Sequence, residues 1–486
     1  MPSRPLAFRH GPLTAFVHPL KTLPDLPALA AMLPSHHPVV WLDSARTHPV
    51  TGRWSLLAWD PWLTVRADGA RCEVRTSAAT EIRQEPPFAC LRRVLARYQA
   101  PPRGVALEQA LGLLGWISYD ANRWIERLPD PVPGGGVPEL LWFAMRVSVL
   151  VDHTEGRAWL VSVVDPHLPA AVARREARDA ADRALAWLDC PALPRLALRV
   201  PAARLEPAMS RGAYEAMVER ALARIRAGEI YQANLAQRFT AQMEGEPLAL
   251  YLALRRINPS PFACFIRAGG LAVVSCSPER LVRVQEGRVD TRPIAGTRPR
   301  GASASEDAIQ SLELLLNEKE RAEHIMLVDL ARNDLGRVCA SGSVAVDELM
   351  ALEPYSHVMH IVSNVSGRLS RGSGAVEVIR AVFPGGTITG CPKVRCMQVI
   401  RELEPVARGL YTGSIGWLAF SGGLDLNIAI RTILVQESRA SFHVGAGIVA
   451  DSRPDREYEE TLAKGRAMAA ALGAAAFTEA DDAVAR

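Results

Sequence analysis

The amino-acid sequence predicts a large protein built from both strands and helices. Of its 486 residues, 49% are hydrophobic, which is ample for an extensive core and outside the range of disordered compositions. Short apolar runs at 271–275 and 281–284 have the length and bounding turns of strands. Residues 168–190 and 305–335 have helical patterning, with Ser305 a plausible N-cap. We expect one large domain or two domains that pack intimately.

The chain divides into two regions by the kind of polar residue it carries. Residues 1–195 alternate strand and helix patterns but contain few chemically distinctive strings. A segment rich in proline follows at 191–207. Residues 205–476 then hold dense polar strings between apolar strands. We therefore predict a boundary near residue 200, with the function in the second region.

Composition excludes several classes of function. The 56 basic and 52 acidic residues give a net charge of only +4, so we expect no nucleic-acid partner and no anionic membrane surface. The eight cysteines form no CxxC pair and no zinc spacing, which indicates free thiols. No apolar run approaches the roughly 20 residues of a membrane-spanning helix, and the N-terminus has no signal-peptide pattern. A cytoplasmic location is expected.

Two pairs of glutamates are spaced to lie on single helix faces. Glu320 and Glu323 form one pair, and Glu457 and Glu460 form the other. Mg²⁺ prefers oxygen ligands and commonly takes one or two protein carboxylates, with substrate and water completing its shell. The alternative for either pair is a solvated helix face, with Glu460 pairing to Lys464.

Three further features suggest contacts to an anion. Glycines interrupt a strand at Gly445-Ala446-Gly447, which indicates either a bulge or a place where another group approaches the backbone closely. Arg431 follows an apolar strand, where it either binds a carboxylate or forms a strand-end salt bridge, and Tyr411 precedes a second strand. A glycine-rich loop at 383–397 feeds a helix without the Walker motif.

Two residues are candidates for proton transfer. His360 lies within a strand-like run, and Glu279 lies at a turn between two strands. Facing a ligand, both could act as acid or base. A buried structural histidine and a solvated turn carboxylate are the alternatives.

Taken together, these strings resemble those of the chorismate-utilising enzymes, which include anthranilate, aminodeoxychorismate, isochorismate and salicylate synthases. The resemblance covers nearly all of residues 205–475 and continues weakly into Leu42-Asp43-Ser44 and GRWSLLAWDP. It implies an α+β fold with two antiparallel β-sheets packed as a sandwich, helices outside and the active site in a cleft. The matching strings, in the family's order, are IYQANLAQRF, SPERLV, RPIAGTRPRG, ERAEHIMLVDLARNDLGRV, GCPKVR, GSIGWL, IAIRT and GAGIVADS.

The resemblance also implies roles for the candidate residues. Glu323 and Glu460 would bind Mg²⁺, which holds the ring carboxylate of chorismate, with Glu320 and Glu457 in the outer shell. Glu279 and His360 would transfer protons. The residues expected to bind substrate are Arg431 and Tyr411, which would hold the enolpyruvyl carboxylate, and Gly296, Thr297, Thr387, Gly445, Ala446, Gly447 and Lys464.

Position 295 separates members of the family. Many aminodeoxychorismate synthases have a nucleophilic lysine there, whereas this chain has Ala295 in PIAGT, as anthranilate synthases typically do. Because alanine cannot attack the ring, ammonia or water must do so directly.

The other matching strings divide between anthranilate synthases and aminodeoxychorismate synthases. YSHVMHIVSNV resembles anthranilate synthases, but YQANLAQRF, SPERL, FPGGTITG and LDLNIAIRT resemble aminodeoxychorismate synthases. We favour amination of chorismate at C4 for p-aminobenzoate and folate biosynthesis, as in aminodeoxychorismate synthases that carry the alanine motif. Anthranilate formation is the alternative, and a non-catalytic chorismate or tryptophan sensor is a third.

The resemblance implies two further ligands. No cysteine lies in the G-x-C-x-G elbow of a class I glutamine amidotransferase, so a separate amidotransferase subunit would supply ammonia. Ser44, Arg53, Pro261 and Phe262 match positions of a tryptophan pocket. Leu42-Asp43-Ser44 departs from the Leu-Leu-Glu-Ser of tryptophan-inhibited relatives, so the match implies a pocket of tryptophan size without implying feedback control.

Overall fold

A computed structural model describes residues 6–47, 51–102, 106–130, 132, 136–188, 198–199, 204–301, 303–354, 358–474 and 477. None of the helices in these ranges combines the length and apolar character needed to cross a membrane. The helices are α1 (Leu26–Met32), α2 (Pro87–Arg97), α3 (Ala170–Leu188), α4 (Arg211–Arg226), α5 (Pro247–Ile257), α6 (Ala304–Leu316), α7 (Glu318–Gly336), α8 (Ala375–Val382), α9 (Lys393–Leu403) and α10 (Pro454–Ala471), with short 3₁₀ turns at Ala106–Ala110, Tyr119–Trp124 and Gly386–Ile388.

The strands alternate with these helices along the whole chain. They are β1 (Leu6–His10), β2 (Leu13–Pro19), β3 (Val39–Asp43), β4 (Trp54–Asp68), β5 (Arg71–Thr76), β6 (Thr80–Gln84), β7 (Gly112–Ile117), β8 (Leu140–Asp152), β9 (Arg157–Val164), β10 (Leu198–Arg199), β11 (Glu206–Pro207), β12 (Gln232–Gln242), β13 (Glu244–Gly245), β14 (Phe262–Ala268), β15 (Leu271–Ser277), β16 (Arg280–Gln285), β17 (Arg288–Thr291), β18 (Ile294–Pro299), β19 (Ala345–Pro354), β20 (Val358–Arg368), β21 (Gly390–Cys391), β22 (Ser414–Ala419), β23 (Leu424–Asn427), β24 (Thr432–Gln436) and β25 (Arg439–Ile448).

All but two of these strands belong to one hydrogen-bonded network, and β10 with β13 form a separate pair. The described pairings are antiparallel throughout, from β1 with β2 to β24 with β25. The predicted α+β class with antiparallel sheet is therefore confirmed. The strands of the two expected layers are hydrogen-bonded into one continuous network.

The two regions predicted from the sequence share this network. β3 of the first region pairs with β14 of the second, and β7 pairs with β22. One hydrophobic core likewise contains Trp116 and Trp142 together with Leu424 and Leu426. The boundary near residue 200 stays a prediction, since residues 189–197 and 200–203 lie outside the described part of the chain.

The stretch predicted as one helix from Ser305 is two helices. Ser303 caps α6 by accepting a hydrogen bond from the Glu306 amide, so the prediction of Ser305 as the cap is wrong. Asn317 has extended backbone and accepts from the Glu320 amide at 3.0 Å, which starts α7. The break at Asn317 sets the direction of the helix that carries Glu320 and Glu323.

Candidate active site

The glycines of β25 lie in an unbroken ladder with β12, without a bulge. Gly445 faces Ala236 and Gly447 faces Asn234, with no shift in register. The amides of Ala236 and Asn234 donate to Glu404 Oε1 and to the Thr389 carbonyl instead of across the pair. Both glycines are therefore in non-hydrogen-bonded positions, and their peptide groups point to the opposite edge of β25.

That edge of β25 is open next to the glycines. The ladder between β24 and β25 ends at the pair of Ile433 and Phe442, and no other strand in the described ranges pairs with residues 443–448 on that side. The Gly445 carbonyl there accepts a hydrogen bond from Lys464 Nζ at 3.1 Å. Backbone groups of the glycine segment are thus available to a ligand at this edge.

Side chains lie directly over both glycines. A Cβ atom at Gly445 would be 2.7 Å from Asn234 Oδ1 and from the Tyr411 hydroxyl oxygen, and one at Gly447 would be 2.7 Å from Gln232 Nε2. Close approach, one of the two readings of this segment, is therefore what the structure shows. The side chain of Ala446 instead lies in a hydrophobic core with Ala233, so the structure does not bring it to the site.

Gly445→Ala is expected to destabilise the protein by about 1–3 kcal/mol, because backbone or the Tyr411 ring must move to admit the methyl group. Thermal unfolding measures this. Gly212→Ala is the control, since a Cβ there meets nothing within 4 Å. Equal melting temperatures for Gly445→Ala and wild type would contradict the close packing of Asn234 and Tyr411 over Gly445.

The two predicted metal ligands come from different helices. On α7, Glu323 Oε1 accepts a hydrogen bond from Gln232 Nε2 at 2.6 Å. On α10, Glu460 forms an ion pair of 2.7 Å with Lys464. Burial raises the pKa of Glu323, and the charges of Glu320 and Glu460 raise it further. Each of the two carboxylates therefore has a polar partner of its own, and the charge of Glu460 disfavours ionisation of Glu323.

The supporting glutamates have partners of their own. Glu320 pairs with Arg298 at 3.0 Å, and Glu457 is buried at the start of α10. Burial raises the pKa of Tyr214, and the charges of Glu457 and Glu460 act in the same direction. The roles of Glu320 and Glu457 in an outer shell stay predictions.

These donors fit a hard cation whose shell is completed by substrate. Among the described residues, no group of three or more His, Cys, Asp and Glu side chains is arranged to hold a metal alone. Carboxylates on two helices, one of them with a raised pKa, would both be stabilised by a divalent cation between them. Oxygen donors of this kind suit Mg²⁺.

A β-bulge at Gly296 positions His360. The pairing of β18 with β20 shifts between Ala295 and Thr297, and Gly296 has φ +68°. The Gly296 carbonyl thereby lies 3.1 Å from His360 Nδ1. Because a carbonyl only accepts, Nδ1 carries the proton and Nε2 has the lone pair. Of Thr297 only the backbone, paired with His360, is described.

Burial keeps His360 neutral. Desolvation lowers the pKa of His360 to about 4, and the charges of Arg431 and Lys464 act in the same direction. At pH 7 the imidazole is therefore uncharged, and its lone pair is on Nε2.

Glu279 is a buried carboxyl group between β15 and β16. Thr387 Oγ1 donates to Glu279 Oε1 at 2.9 Å, and the Ile294 amide donates as well. Burial outweighs these hydrogen bonds and raises the pKa of Glu279 to about 7. The group therefore holds a proton for much of the time near neutral pH, next to the buried Ala295 that follows Ile294.

Arg431 is a partly buried cation without an ion-pair partner among the described residues, which disfavours the strand-end salt bridge. Burial lowers its pKa, and its φ of +52° is a strained backbone conformation. Tyr411 is nearby, since its charge and that of Arg431 affect one another's pKa. An unpaired guanidinium beside a phenol is suited to an anionic ligand.

Sequence reasoning missed two side chains that position this site. Gln232 holds Glu323, and the His443 ring stacks on Tyr411 with centroids 5.2 Å apart. Gln232 is the second residue of the YQANLAQRF string, but its role depends on Glu323, which lies 91 positions away. His443 lies between the apolar residues Phe442 and Val444 in β25, a sequence pattern that does not show which ring it contacts.

The four residues predicted for a tryptophan pocket line a separate cavity of about 870 Å³. Ser44 Oγ donates to the Trp54 carbonyl at 2.6 Å, and Arg53 pairs with Asp152 at 2.7 Å. None of the four glutamates of α7 and α10 lines this cavity. The two predicted ligand sites are thus distinct.

The fold agrees with that of the proteins to which this chain is similar. The family model described as chorismate binding enzyme matches residues 37–470, so the chain belongs to the chorismate-binding enzymes. An anthranilate synthase component I-like protein of Synechocystis is 47% identical over 74% of this chain and 72% of its own length. Anthranilate synthase component 1 of Pseudomonas aeruginosa is 40% identical over 89% of this chain and 90% of its own.

A relative named as an aminodeoxychorismate synthase matches a similar share of this chain. Aminodeoxychorismate synthase component 1 of Bacillus subtilis is 38% identical over 90% of this chain and 92% of its own. Anthranilate synthase component I of Streptococcus pneumoniae, a solved structure, has a TM-score of 0.75 and 33% identity, and the match covers 87% of this chain and 93% of that one. The fold is that of anthranilate synthase component I.

Proposed function

We propose that this chain is the synthase component of an aminodeoxychorismate synthase, which aminates chorismate at C4 for p-aminobenzoate and folate biosynthesis. The observation that carries the choice is Asn234, whose buried Oδ1 lies beside Gly445 and has no hydrogen-bond partner in the part of the chain that the structure describes. Aminodeoxychorismate synthases, which the YQANLAQRF string resembles, typically have asparagine where anthranilate synthases have an apolar residue.

Substrate binding follows from the charges of the site. Chorismate carries two carboxylates. Arg431 and Tyr411 bind the enolpyruvyl carboxylate, with the open edge at Gly445 and Gly447 beside them. Glu323 and Glu460 would hold Mg²⁺, with Glu320 and Glu457 behind them; when bound, the ion supplies Lewis acidity at the ring carboxylate.

The proton transfers fall to two buried groups. Glu279, which is protonated for much of the time near pH 7, donates a proton to the leaving ring oxygen, so that hydroxide leaves as water. Neutral His360 accepts a hydrogen bond or proton at Nε2. With Ala295 in place of a lysine, ammonia attacks directly: it adds first at C2, and a second ammonia attacks C4 and displaces the first amine.

Product identification tests this proposal. We expect chorismate, Mg²⁺ and ammonium to yield aminodeoxychorismate, which a lyase converts to p-aminobenzoate. Chromatography of the products measures the outcome. Anthranilate as the released product would contradict C4 amination, and no chorismate consumption with any amine source would contradict an enzymatic role.

Anthranilate synthase component I is the second candidate. Ala295 in the PIAGT string favours it, and the relative in Pseudomonas aeruginosa bears its name, while that in Synechocystis is named an anthranilate synthase component I-like protein. Both candidates use the same binding groups and the same ammonia, so the carbon that keeps the nitrogen distinguishes them.

We further propose that the cavity lined by Ser44, Arg53, Pro261 and Phe262 accepts tryptophan. The cavity combines the indole of Trp54 with Arg53, whose guanidinium lies 4.8 Å over that ring and pairs with Asp152. Titration calorimetry with tryptophan is expected to show binding that Ser44→Phe weakens by at least about tenfold. Absence of heat at millimolar tryptophan would contradict the proposal.

A further inference from the structure

A salt bridge between Glu404 and Arg408 is buried in the loop that follows α9. Glu404 is 5% exposed and Arg408 is 2% exposed. Arg408 Nη2 and Nε donate to the two carboxylate oxygens of Glu404 at 2.6 Å and 2.9 Å. A buried ion pair often adds little net stability, because the attraction between the charges is offset by their loss of hydration. A bidentate pair does, however, fix the direction of the guanidinium.

All five N–H groups of Arg408 have acceptors within the protein. Two of them donate to Glu404, and a third, on Nη2, donates to the Asn234 carbonyl at 2.7 Å. The two on Nη1 donate to the Ile388 carbonyl at 3.0 Å and to Thr412 Oγ1 at 3.1 Å. Because a guanidinium presents its five donors in one plane, it holds each acceptor in a defined direction. Arg408 thus joins β12, the 3₁₀ turn that ends at Ile388 and the loop before β22.

The ion pair lies along one edge of β12. The Asn234 amide donates to the Thr389 carbonyl at 2.9 Å, and the Asn234 carbonyl accepts from Arg408. The Ala236 amide, the next on that edge, donates to Glu404 Oε1 at 2.8 Å. The backbone of Asn234 is therefore held on this edge by side-chain and loop groups in place of a neighbouring strand.

Tyr411 is held by the same guanidinium. Thr412 Oγ1, which accepts from Arg408, donates to the Tyr411 carbonyl at 2.5 Å. The guanidinium carbon lies 5.6 Å from the centre of the Tyr411 ring. His443, which stacks on that ring, forms a hydrogen bond with the carbonyl of Ala407, the residue before Arg408. The backbone, the ring and the stacking partner of Tyr411 all contact the loop that carries Arg408.

The side chains of Asn234 and Tyr411 converge on one point of the candidate active site. A Cβ atom at Gly445 would be 2.7 Å from Asn234 Oδ1 and 2.7 Å from the Tyr411 hydroxyl oxygen. Among the described residues, Asn234 Oδ1 has no hydrogen-bond partner. Arg408 itself has no donor left for a ligand, since all five are used inside the protein.

We infer that Arg408 is a positioning residue for the substrate, which acts through Asn234 and Tyr411 and is itself oriented by Glu404. The inference rests on the proposed function, in which Tyr411 binds a carboxylate of chorismate beside Gly445. Lysine cannot take this role, because its single ammonium nitrogen cannot reach acceptors in five fixed directions. The alternative is that the ion pair only ties the loop to β12, so that its loss lowers stability without a selective loss of substrate affinity.

Two variants break the network at different points. Arg408→Lys keeps the charge but not the planar fork, and Thr412→Val removes only the hydroxyl between Arg408 and Tyr411. Arg146→Lys is the matched control, because Arg146 is a buried arginine of β8 in the first region and pairs with Asp60 at 3.1 Å. Calorimetry of each full-length protein measures binding of chorismate with Mg²⁺ in the absence of an amine. Water relaxation measures binding of Mn²⁺ alone, and urea unfolding measures stability.

We expect Arg408→Lys to raise the Kd for chorismate at least about tenfold, because small displacements of binding groups have effects of this size or larger. Thr412→Val should raise it about two- to tenfold, the effect of one hydrogen bond. Thr412→Ser, which keeps the hydroxyl, should recover most of that loss.

The metal affinity should not follow the substrate affinity. Glu323 and Glu460 lie on α7 and α10, and the hydrogen bonds of Arg408 reach neither helix. The Kd for Mn²⁺ should therefore stay within about twofold of wild type in the Arg408 and Thr412 variants. Arg146→Lys should bind chorismate as the wild type does, even where its unfolding midpoint falls.

Three results would overturn the inference. One is wild-type chorismate affinity in folded Arg408→Lys or, if that variant does not fold, equal affinity in Thr412→Val and Thr412→Ser. The others are a parallel loss of Mn²⁺ and chorismate binding, and an equal loss of chorismate affinity in Arg146→Lys, since both indicate a general loss of structure. A wild-type protein that binds chorismate but releases anthranilate would contradict C4 amination alone. A wild-type protein that binds no chorismate would contradict the proposed function and the inference together.

Discussion

Replacing Glu279 by glutamine is expected to lower kcat for chorismate by about 10²–10⁴-fold, with either ammonium or glutamine as nitrogen source. The amide keeps the volume and can still accept from Thr387, but it has no proton to give to the leaving oxygen. Steady-state kinetics on the purified variant measure the effect. Glu244→Gln, at an exposed glutamate on β13, should behave as wild type.

The raised pKa of Glu279 also predicts the direction in which kcat changes with pH. Because burial raises the pKa of Glu279 to about 7, the protonated form prevails below pH 7 and is lost above it. In the wild type, kcat should therefore fall about tenfold per pH unit well above pH 7, and Glu279→Gln should lack that decline. A wild-type rate that rises through pH 7 to 8 would indicate a base instead.

Glu323→Gln is expected to reduce Mg²⁺-dependent turnover by at least about 100-fold, and to raise the Mg²⁺ concentration for half-maximal rate. Removal of a group that only supports a ligand typically costs about 10–100-fold, so loss of the ligand itself should exceed that. Gln232→Leu, which removes the hydrogen bond of 2.6 Å to Glu323, should fall in that smaller range.

The control for this variant lies on the same helix. Glu318 is exposed in the first turn of α7, and Glu318→Gln should leave the Mg²⁺ dependence unchanged. A Glu323→Gln protein with wild-type Mg²⁺ requirement would remove Glu323 from the proposed ligands. Binding of Mn²⁺, followed by its paramagnetic effect on water relaxation, reports on the site without turnover.

The sequence identified the chemical groups of the site better than their arrangement. Helical spacing predicted that Glu320 and Glu323 share a face, because that spacing is a local property of the chain. The pairing of β12 with β25 joins residues about 200 positions apart, and no local pattern encodes its register. The contact of Gln232 with Glu323 was missed for the same reason.

At two other places the local sequence allowed two structures. Ser303 and Ser305 are both acceptable helix caps, and only the backbone geometry at Ser303 decides between them. Gly445 and Gly447 suggested a bulge or a close approach, and the choice depends on Gln232 and Asn234, which lie on another strand. The α+β class followed from resemblance and needed none of these details.

The pairings of β3 with β14 and of β7 with β22 bear on how the chain could be divided. Without residues 1–195, β14 and β22 would each become an edge strand with unpaired peptide groups. The core around Trp116 and Trp142 would be opened at the same time. A fragment of residues 205–476 would therefore be prone to aggregate even though it carries every proposed catalytic group, and the first region acts as a built-in folding partner for the second.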